Sequence, residues 1–332
     1  MALGPLVIQA GITMPGASAY ALAAADLSPV VTAPFEPLAS YDWVFGAEYP
    51  DFSDAITGTK LQPNLRLAIT NGGTGYEASG PLLFTGGGAT TPATGIWFAT
   101  NGVIGGAYLT SPGAGYTSNP AVAAQTSAGT GSTITAVIGA AATLSANSLI
   151  LPTSSTGGLI LPVTETLDQT ICAVVRVAKN PANAAVSILF GTLFQSAANI
   201  GGLSAGSAMF LEGANGYRTT TRPGSVASVG APAGVADGGY AFVALSEAPG
   251  GGRVVYWGGP ASTVYTATQV KTMAATPPKI ALGPAYYGVP SYAHELAELI
   301  YIPRATTAAE LDAVYARSKA RMAARTSPII VY

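Results

Sequence analysis

Every apolar run in this chain is short, and glycine, proline, serine or threonine breaks each one before it could become a long helix. The runs at 143–151, 158–162, 169–177, 185–190, 208–211, 239–245, 252–257, 279–282 and 293–302 are all strand-sized, with turn formers between them. Many short strands and almost no helical periodicity predict an all-β sandwich. The 41 Gly and 24 Pro supply the turns such a fold needs. None of the runs approaches the ~20 uninterrupted apolar residues of a spanning helix, so no membrane insertion is expected.

Charge narrows the function classes. Only 9% of residues are charged and the net charge is -2, which gives no electrostatic footprint for nucleic acid or an anionic membrane. Weak self-repulsion favours association, so a homo-oligomer is expected. The single cysteine, Cys172, lies in the apolar run 169–177 and reads as a small buried hydrophobe. With no disulfide available, stability must come from packing and subunit contacts. No Lys or Arg precedes Lys60, so the apolar N-terminus lacks the basic region of an export signal. An exterior location is then expected to be reached by assembly or lysis.

The chain divides by composition. Residues 1–40 carry five prolines and no clear periodicity, and read as an extended arm for docking in an assembly, or alternatively as a processed leader. Residues 41–65 begin the main domain, which resumes at 143–325. Between them, 66–142 holds one pattern twice, Ile69-Thr-Asn-Gly-Gly-Thr-Gly-Tyr76 and Leu109-Thr-Ser-Pro-Gly-Ala-Gly-Tyr116. Each copy continues through a proline step, a short strand, a turn and a second strand, so one supersecondary unit is used twice. Gly73, Gly75, Gly113 and Gly115 are expected to supply positive φ, and Tyr76 and Tyr116 to cover the ends of the units. The spacing matches no nucleotide-binding loop. Thr307-Ala-Ala-Glu310 has capping-box spacing and opens a helix predicted over 307–324, with Leu311, Val314, Tyr315 and Met322 on one face. Arg317, Lys319, Arg321 and Arg325 fall in its C-terminal half, where the helix dipole accounts for them without a ligand. Residues 326–332 read as an extended tail able to join a sheet edge.

The stretch Ala293-His-Glu-Leu-Ala-Glu-Leu-Ile-Tyr-Ile-Pro-Arg-Ala-Thr-Thr-Ala-Ala-Glu-Leu-Asp-Ala-Val-Tyr315 resembles the last strand and Thr-capped helix of the concanavalin A-like, laminin-G-type jelly roll of bacteriophage structural and adhesion proteins. The two-copy segment resembles Gly-Gly-x-Gly-Tyr β-repeats of phage tail and fibre proteins. The resemblance implies a jelly roll with one C-terminal helix and a small β-repeat domain inserted early. It further implies a virion surface component, whether tail fibre, head fibre or decoration, with host-surface glycan, other virion proteins and its own copies as partners. A homotrimer is the expected oligomer by that analogy. A secreted bacterial adhesin and a polysaccharide depolymerase remain open as alternatives.

Site chemistry is thin. Tyr217 with Arg218, Trp257, Tyr286, Tyr287 and Tyr292 are the candidate sugar-stacking residues, being aromatic or basic and close to Gly and Pro, although aromatics in a sandwich also build core. His294 is the only histidine and no nucleophile elbow exists, so no catalytic residue is assigned. Glu212, Asp237, Glu247, Glu295 and Glu298 would be the acids available for glycoside hydrolysis, with no pairing specified. Asp51 and Asp54 are too few for calcium and read as solvated turn residues, while Arg222 and Arg253 read as solvated or paired. No metal and no cofactor are expected.

Overall fold

The computed structural model describes residues 35–49, 52–153, 158–177, 186–192, 205–212, 217–221, 225–228, 238–258, 263–267, 270–283 and 294–332. The chain opens with β1 (Tyr41–Val44) and β2 (Gln62–Pro63). The repeat segment then forms β3 (Leu65–Thr74), β4 (Ser79–Thr85), β5 (Thr94–Thr100), β6 (Val103–Ser111), β7 (Ala121–Ala124) and β8 (Thr130–Ile138). Next come β9 (Thr143–Leu144), β10 (Leu149–Ile150), β11 (Leu159–Thr164), β12 (Gln169–Arg176), β13 (Val186–Gly191), β14 (Ser207–Glu212), β15 (Tyr217–Thr221) and β16 (Ser225–Ser228). The last elements are β17 (Tyr240–Glu247), β18 (Arg253–Trp257), β19 (Thr263–Ala267), β20 (Lys279–Leu282), β21 (Glu295–Ile302) and α1 (Ala308–Ala323).

Two antiparallel sheets make the sandwich. One runs β19-β18-β17-β12-β21-β10-β9, with β1 also paired to β21, and the other runs β16-β15-β14-β13-β20-β11-β2. The run at 169–177 is apolar without a break from Ile171 to Val175 because the first sheet is covered on both faces there. Ile171, Ala173 and Val175 point between the sheets, where Trp43, Phe190, Met209 and Leu282 complete the core. Cys172 and Val174 point the other way, onto Leu311, Val314 and Met322 of α1. Alternation is therefore present, but both faces are dry.

The helix starts as its sequence dictates. Glu310 N–H donates to the Thr307 hydroxyl at 3.2 Å, and Thr307 N–H donates to Glu310 at 2.8 Å. Arg304 grips the same carboxylate from outside, and that hydrogen bond first among causes holds Glu310 down to about 2. Thr307→Ala is expected to cost about 1 kcal/mol of stability, read by urea denaturation. Tyr315 is half-buried, its ring against Phe242 and so close to Gly258 that a Cβ there would overlap it. The tail returns to its own chain: Val331 bridges Tyr240 in parallel and is buried with Ile329.

The third sheet, β3-β8-β7-β4-β5-β6, belongs to the repeat segment alone and has its own core of Leu65, Leu82, Phe84, Trp97, Ile104 and Ile134. The two copies are interleaved. β3 of the first pairs with β8 of the second, and β6 of the second pairs with β5 of the first. At the centre Leu83 faces Ala123, the same 40-residue offset that separates Tyr76 from Tyr116, so a pseudo-twofold axis passes between β4 and β7. Each tyrosine then clips the opposite copy. The Tyr76 hydroxyl donates to Ser132 Oγ at 2.6 Å at the start of β8, and Tyr116 accepts from Ala93 N–H at 2.8 Å just before β5. Gly73 at φ 62° and Gly113 at φ 68° make these clips possible, because a Cβ on either would run into the backbone of the other copy.

Candidate functional site

The repeat module meets the sandwich through β5 and β6. Phe98 and Tyr108 stack with ring centroids 5.4 Å apart, and Tyr108 packs with Ala205 and Ala274 of the sandwich. The Tyr108 hydroxyl donates to the Thr276 carbonyl, and burial raises its pKa. Its acceptor belongs to the segment 270–278, which is itself tied down by Gly206 N–H to Thr272 O and Glu165 N–H to Pro278 O, both 2.9 Å. The module therefore rests on a segment fixed to two strands of the sandwich.

Under that segment lies a buried charge cluster. Lys271 reaches inward and places Nζ 2.7 Å from Glu247, 3.0 Å from Glu165 and 2.9 Å from the Thr166 carbonyl. Gln169 and Ser207 donate to the same Glu247 oxygen at 3.0 and 2.9 Å, and Thr192 donates to Glu165. Strand ends do the positioning: Glu247 closes β17, Gln169 opens β12 and Ser207 opens β14. Arg253 is buried as well, opposite Glu247 in the β17–β18 register. Burial works against the Lys271 ammonium, but the two carboxylates outweigh it and hold its pKa above the ordinary value. Burial raises Glu165, with Lys271 opposing. An ammonium so held is no nucleophile; its chemistry is that of a fixed strut between module support and sandwich.

Several residues singled out from the sequence lie elsewhere than expected. Trp257 is 1% exposed and belongs to the core between the sheets, so its indole face is unavailable to a sugar; its β-strand position beside Val243 turns it inward. Tyr217 and Arg218 sit on β15, paired with Leu211 and Phe210, where the backbone alone is described. Tyr286, Tyr287 and Tyr292 lie outside the described residues, as do Asp51, Arg222, Asp237 and residues 1–34. Asp54 is not a solvated turn residue: it is buried and accepts from the N–H groups of Ile56, Thr57 and Thr59. Glu298 is buried beneath α1, and Arg317 and Arg321 are ion-paired to carboxylates there, so the helix's basic residues are docking groups as well as dipole partners. His294 is buried at the entry to β21, its carbonyl accepting from Leu151. The glycines of the repeats have φ of 62° and 77° at Gly73 and Gly75, and 68° and 79° at Gly113 and Gly115.

Sequence reasoning missed Glu165, Lys271, Phe98 and Tyr108. Lys271 and Glu165 are far apart in the chain and form no motif. The one signal was scarcity at Glu165, since a lone charge after the apolar run 158–163 in so uncharged a chain calls for a buried partner. Among the described residues no three His, Cys, Asp or Glu side chains converge as a metal site, and no helix is long and apolar enough to cross a membrane.

No family model matches the chain, and no curated protein matches it. Among solved structures it is similar to the botulinum neurotoxin serotype D binding domain, at 9% identity and a TM-score of 0.40, over 54% of this chain and 45% of that one. It is also similar to Trypanosoma rangeli sialidase, at 17% identity and a TM-score of 0.38, over 54% of this chain and 28% of that one. The chain thus spans less than half the length of either.

Proposed function

We propose that this protein is a non-catalytic virion surface component of a bacteriophage, a fibre, tail or head-decoration part, that assembles as a homotrimer and presents its sandwich to host-surface glycan. The observation that carries the non-catalytic part of the reading is where the acids go. Apart from Glu48, every carboxylate whose side chain is described is engaged by a cation, a hydroxyl or a backbone N–H of the same chain. Asp168 accepts from Ala305 N–H, Asp312 from the Tyr256 hydroxyl, Glu77 from Thr126 and Ser127, and Glu295 pairs with Arg176 at 2.6 Å. Acids so engaged are poor candidates for a hydrolytic pair, which needs two carboxyls facing one sugar.

The repeat module reinforces this. Arg66 and Glu77 are its only charged residues between 65 and 138, leaving an almost uncharged surface rich in Thr, Ser, Ala and Gly with Leu83, Val103 and Val137 exposed among them. A nearly uncharged surface of that kind suits docking to copies of itself, and its hydroxyls suit sugar hydroxyls. The aromatic candidates that remain for a sugar are Tyr217, Tyr286, Tyr287 and Tyr292, with Arg218 as a hydrogen-bond donor, and residues 1–40 are the segment proposed to dock to other virion proteins.

Light scattering on the purified chain is expected to give the mass of a trimer, and a glycan array is expected to show binding that weakens in Tyr286→Ala/Tyr287→Ala. A monomer at micromolar concentration overturns the assembly reading. Breakdown of the bound oligosaccharide overturns the non-catalytic one, and recovery from culture medium with a cleaved N-terminus replaces the virion by a secreted adhesin.

A further inference from the structure

A second buried charge cluster lies on the opposite side of the first sheet, between β1, β21 and α1. Arg321 places Nη1 2.5 Å from Asp42 and Nη2 2.6 Å from Glu298. Glu36 lies beside them, held by Arg317 at 2.5 Å, and its own N–H donates to Asp42 at 2.6 Å. All three carboxylate residues are 0% exposed. The ion-pair set is therefore three carboxylates on two guanidiniums. Arg325, the next cation, directs its donors to the carbonyls of Phe45 and Asn147 and stands over the Tyr49 ring.

Glu298 is the least compensated member. Its one ion pair is with Arg321 Nη2 at 2.6 Å, a guanidinium it shares with Asp42, and Ser318 is its other polar neighbour on α1. Glu298 lies on the α1 face of β21 by alternation with Ile300 and Ile302, just after the point where the β12–β21 register shifts and Ala297 is the extra residue. A carboxylate in a dry layer that shares its one guanidinium with a second buried carboxylate is more stable protonated.

We propose that this cluster is a proton-operated latch: with a proton on Glu298, one guanidinium balances Asp42 and fastens α1 and the segment 36–39 to the sheet, and loss of the proton loosens both. The groups that face Glu298 are Asp42 from β1, Cys172 from β12, Glu36 from the N-terminal segment, and Arg317, Ser318 and Arg321 from α1, with Arg325 just beyond. On its own strand, Glu295 is engaged by Arg176 and Ser148, and His294 is buried. Burial raises Glu298 to about 7, with Arg321 opposing and Asp42 adding to the rise. The sign follows. A carboxyl whose folded pKa lies above its unfolded value stabilises the fold below the unfolded value, and that contribution is lost as pH rises from 4.5 to about 7. Because the segment 36–39 is where residues 1–34 join the sandwich, the latch sets how firmly that junction is held, whatever those residues bind.

The test is Glu298→Gln in the full chain, with urea denaturation and hydrogen exchange across pH 4.5 to 8.5. The wild type is expected to become about a hundredfold less favourably folded than the variant on going from the acid to the alkaline end, with the two coinciding at the acid end. Protection of the α1 amides, taken relative to the intrinsic exchange rate at each pH, falls with rising pH in the wild type and stays level in the variant. Parallel curves with a constant offset would overturn the latch and leave an ordinary ion pair. Should the variant not fold, the ¹³C shift of the Glu298 carboxyl in the wild type decides: a midpoint near neutrality supports the latch, and one in the ordinary carboxylate range sinks it.

Discussion

Lys271→Met is expected to destabilise the protein by about 3–5 kcal/mol, more than any surface substitution in the chain. Removing one partner of a buried ion pair leaves the other's charge without compensation, and here a single ammonium serves two carboxylates. The variant's loss is pH-dependent in a defined direction. Glu165, already raised by burial, rises further once Lys271 is gone, so the variant's stability falls as pH climbs toward neutrality and recovers on acidification. Adding Glu165→Gln and Glu247→Gln to Lys271→Met is expected to restore most of the loss, because a neutral amide has no such desolvation penalty. Denaturation followed at pH 5 and pH 8 checks both statements. A loss below about 1 kcal/mol at pH 8 would show the cluster to be solvated and weakly coupled. Since the segment carrying Lys271 also holds Tyr108, the Lys271→Met variant is further expected to loosen the module from the sandwich, read as faster exchange of the amides of β6.

How much of this could be read from residues alone differs between fold and site for a physical reason. Strand-sized runs, capping at Thr307 and the Gly-Tyr repeats are local signals, and each led to the element it predicted. The interleaving of the two repeats is not local: a period of about 40 residues states that a unit recurs, but β3 pairing with β8 rather than within its own copy depends on long-range register. The charge clusters are further still from view. Arg321 reads as a helix-terminal cation until α1 is known to lie across the face of β21 that carries Glu298. Trp257 shows the opposite error, an aromatic beside Gly and Pro that strand register sends into the core. In a chain with few charges, the sequence advertises scarcity but not pairing. That is why the sandwich was foreseeable and its struts were not.

The interleaved repeats make the second large prediction specific. Gly113→Ala and Gly73→Ala are each expected to cost the module about 3–5 kcal/mol, combining the penalty of a left-handed alanine with the overlap of its Cβ on the facing backbone. For Gly113 that backbone is Thr91 to Ala93, and for Gly73 it is Thr130 to Ser132. Gly86→Ala separates the two causes, because Gly86 has φ 72° and an added methyl there would meet nothing within 4 Å, so only the backbone penalty of about 1–2 kcal/mol applies. Trp97, wholly buried against Tyr76 in the module core, reports module unfolding by fluorescence in a Trp43→Phe/Trp257→Phe background, provided that background remains folded. Because each glycine admits the clip that one copy places on the other, opening either clip is expected to release both ends of the pseudo-symmetric sheet. The double variant should then lose clearly less than the two single losses added together. Strict additivity would mean that the copies fold as independent units that merely touch, and the pseudo-twofold would be geometry without cooperativity.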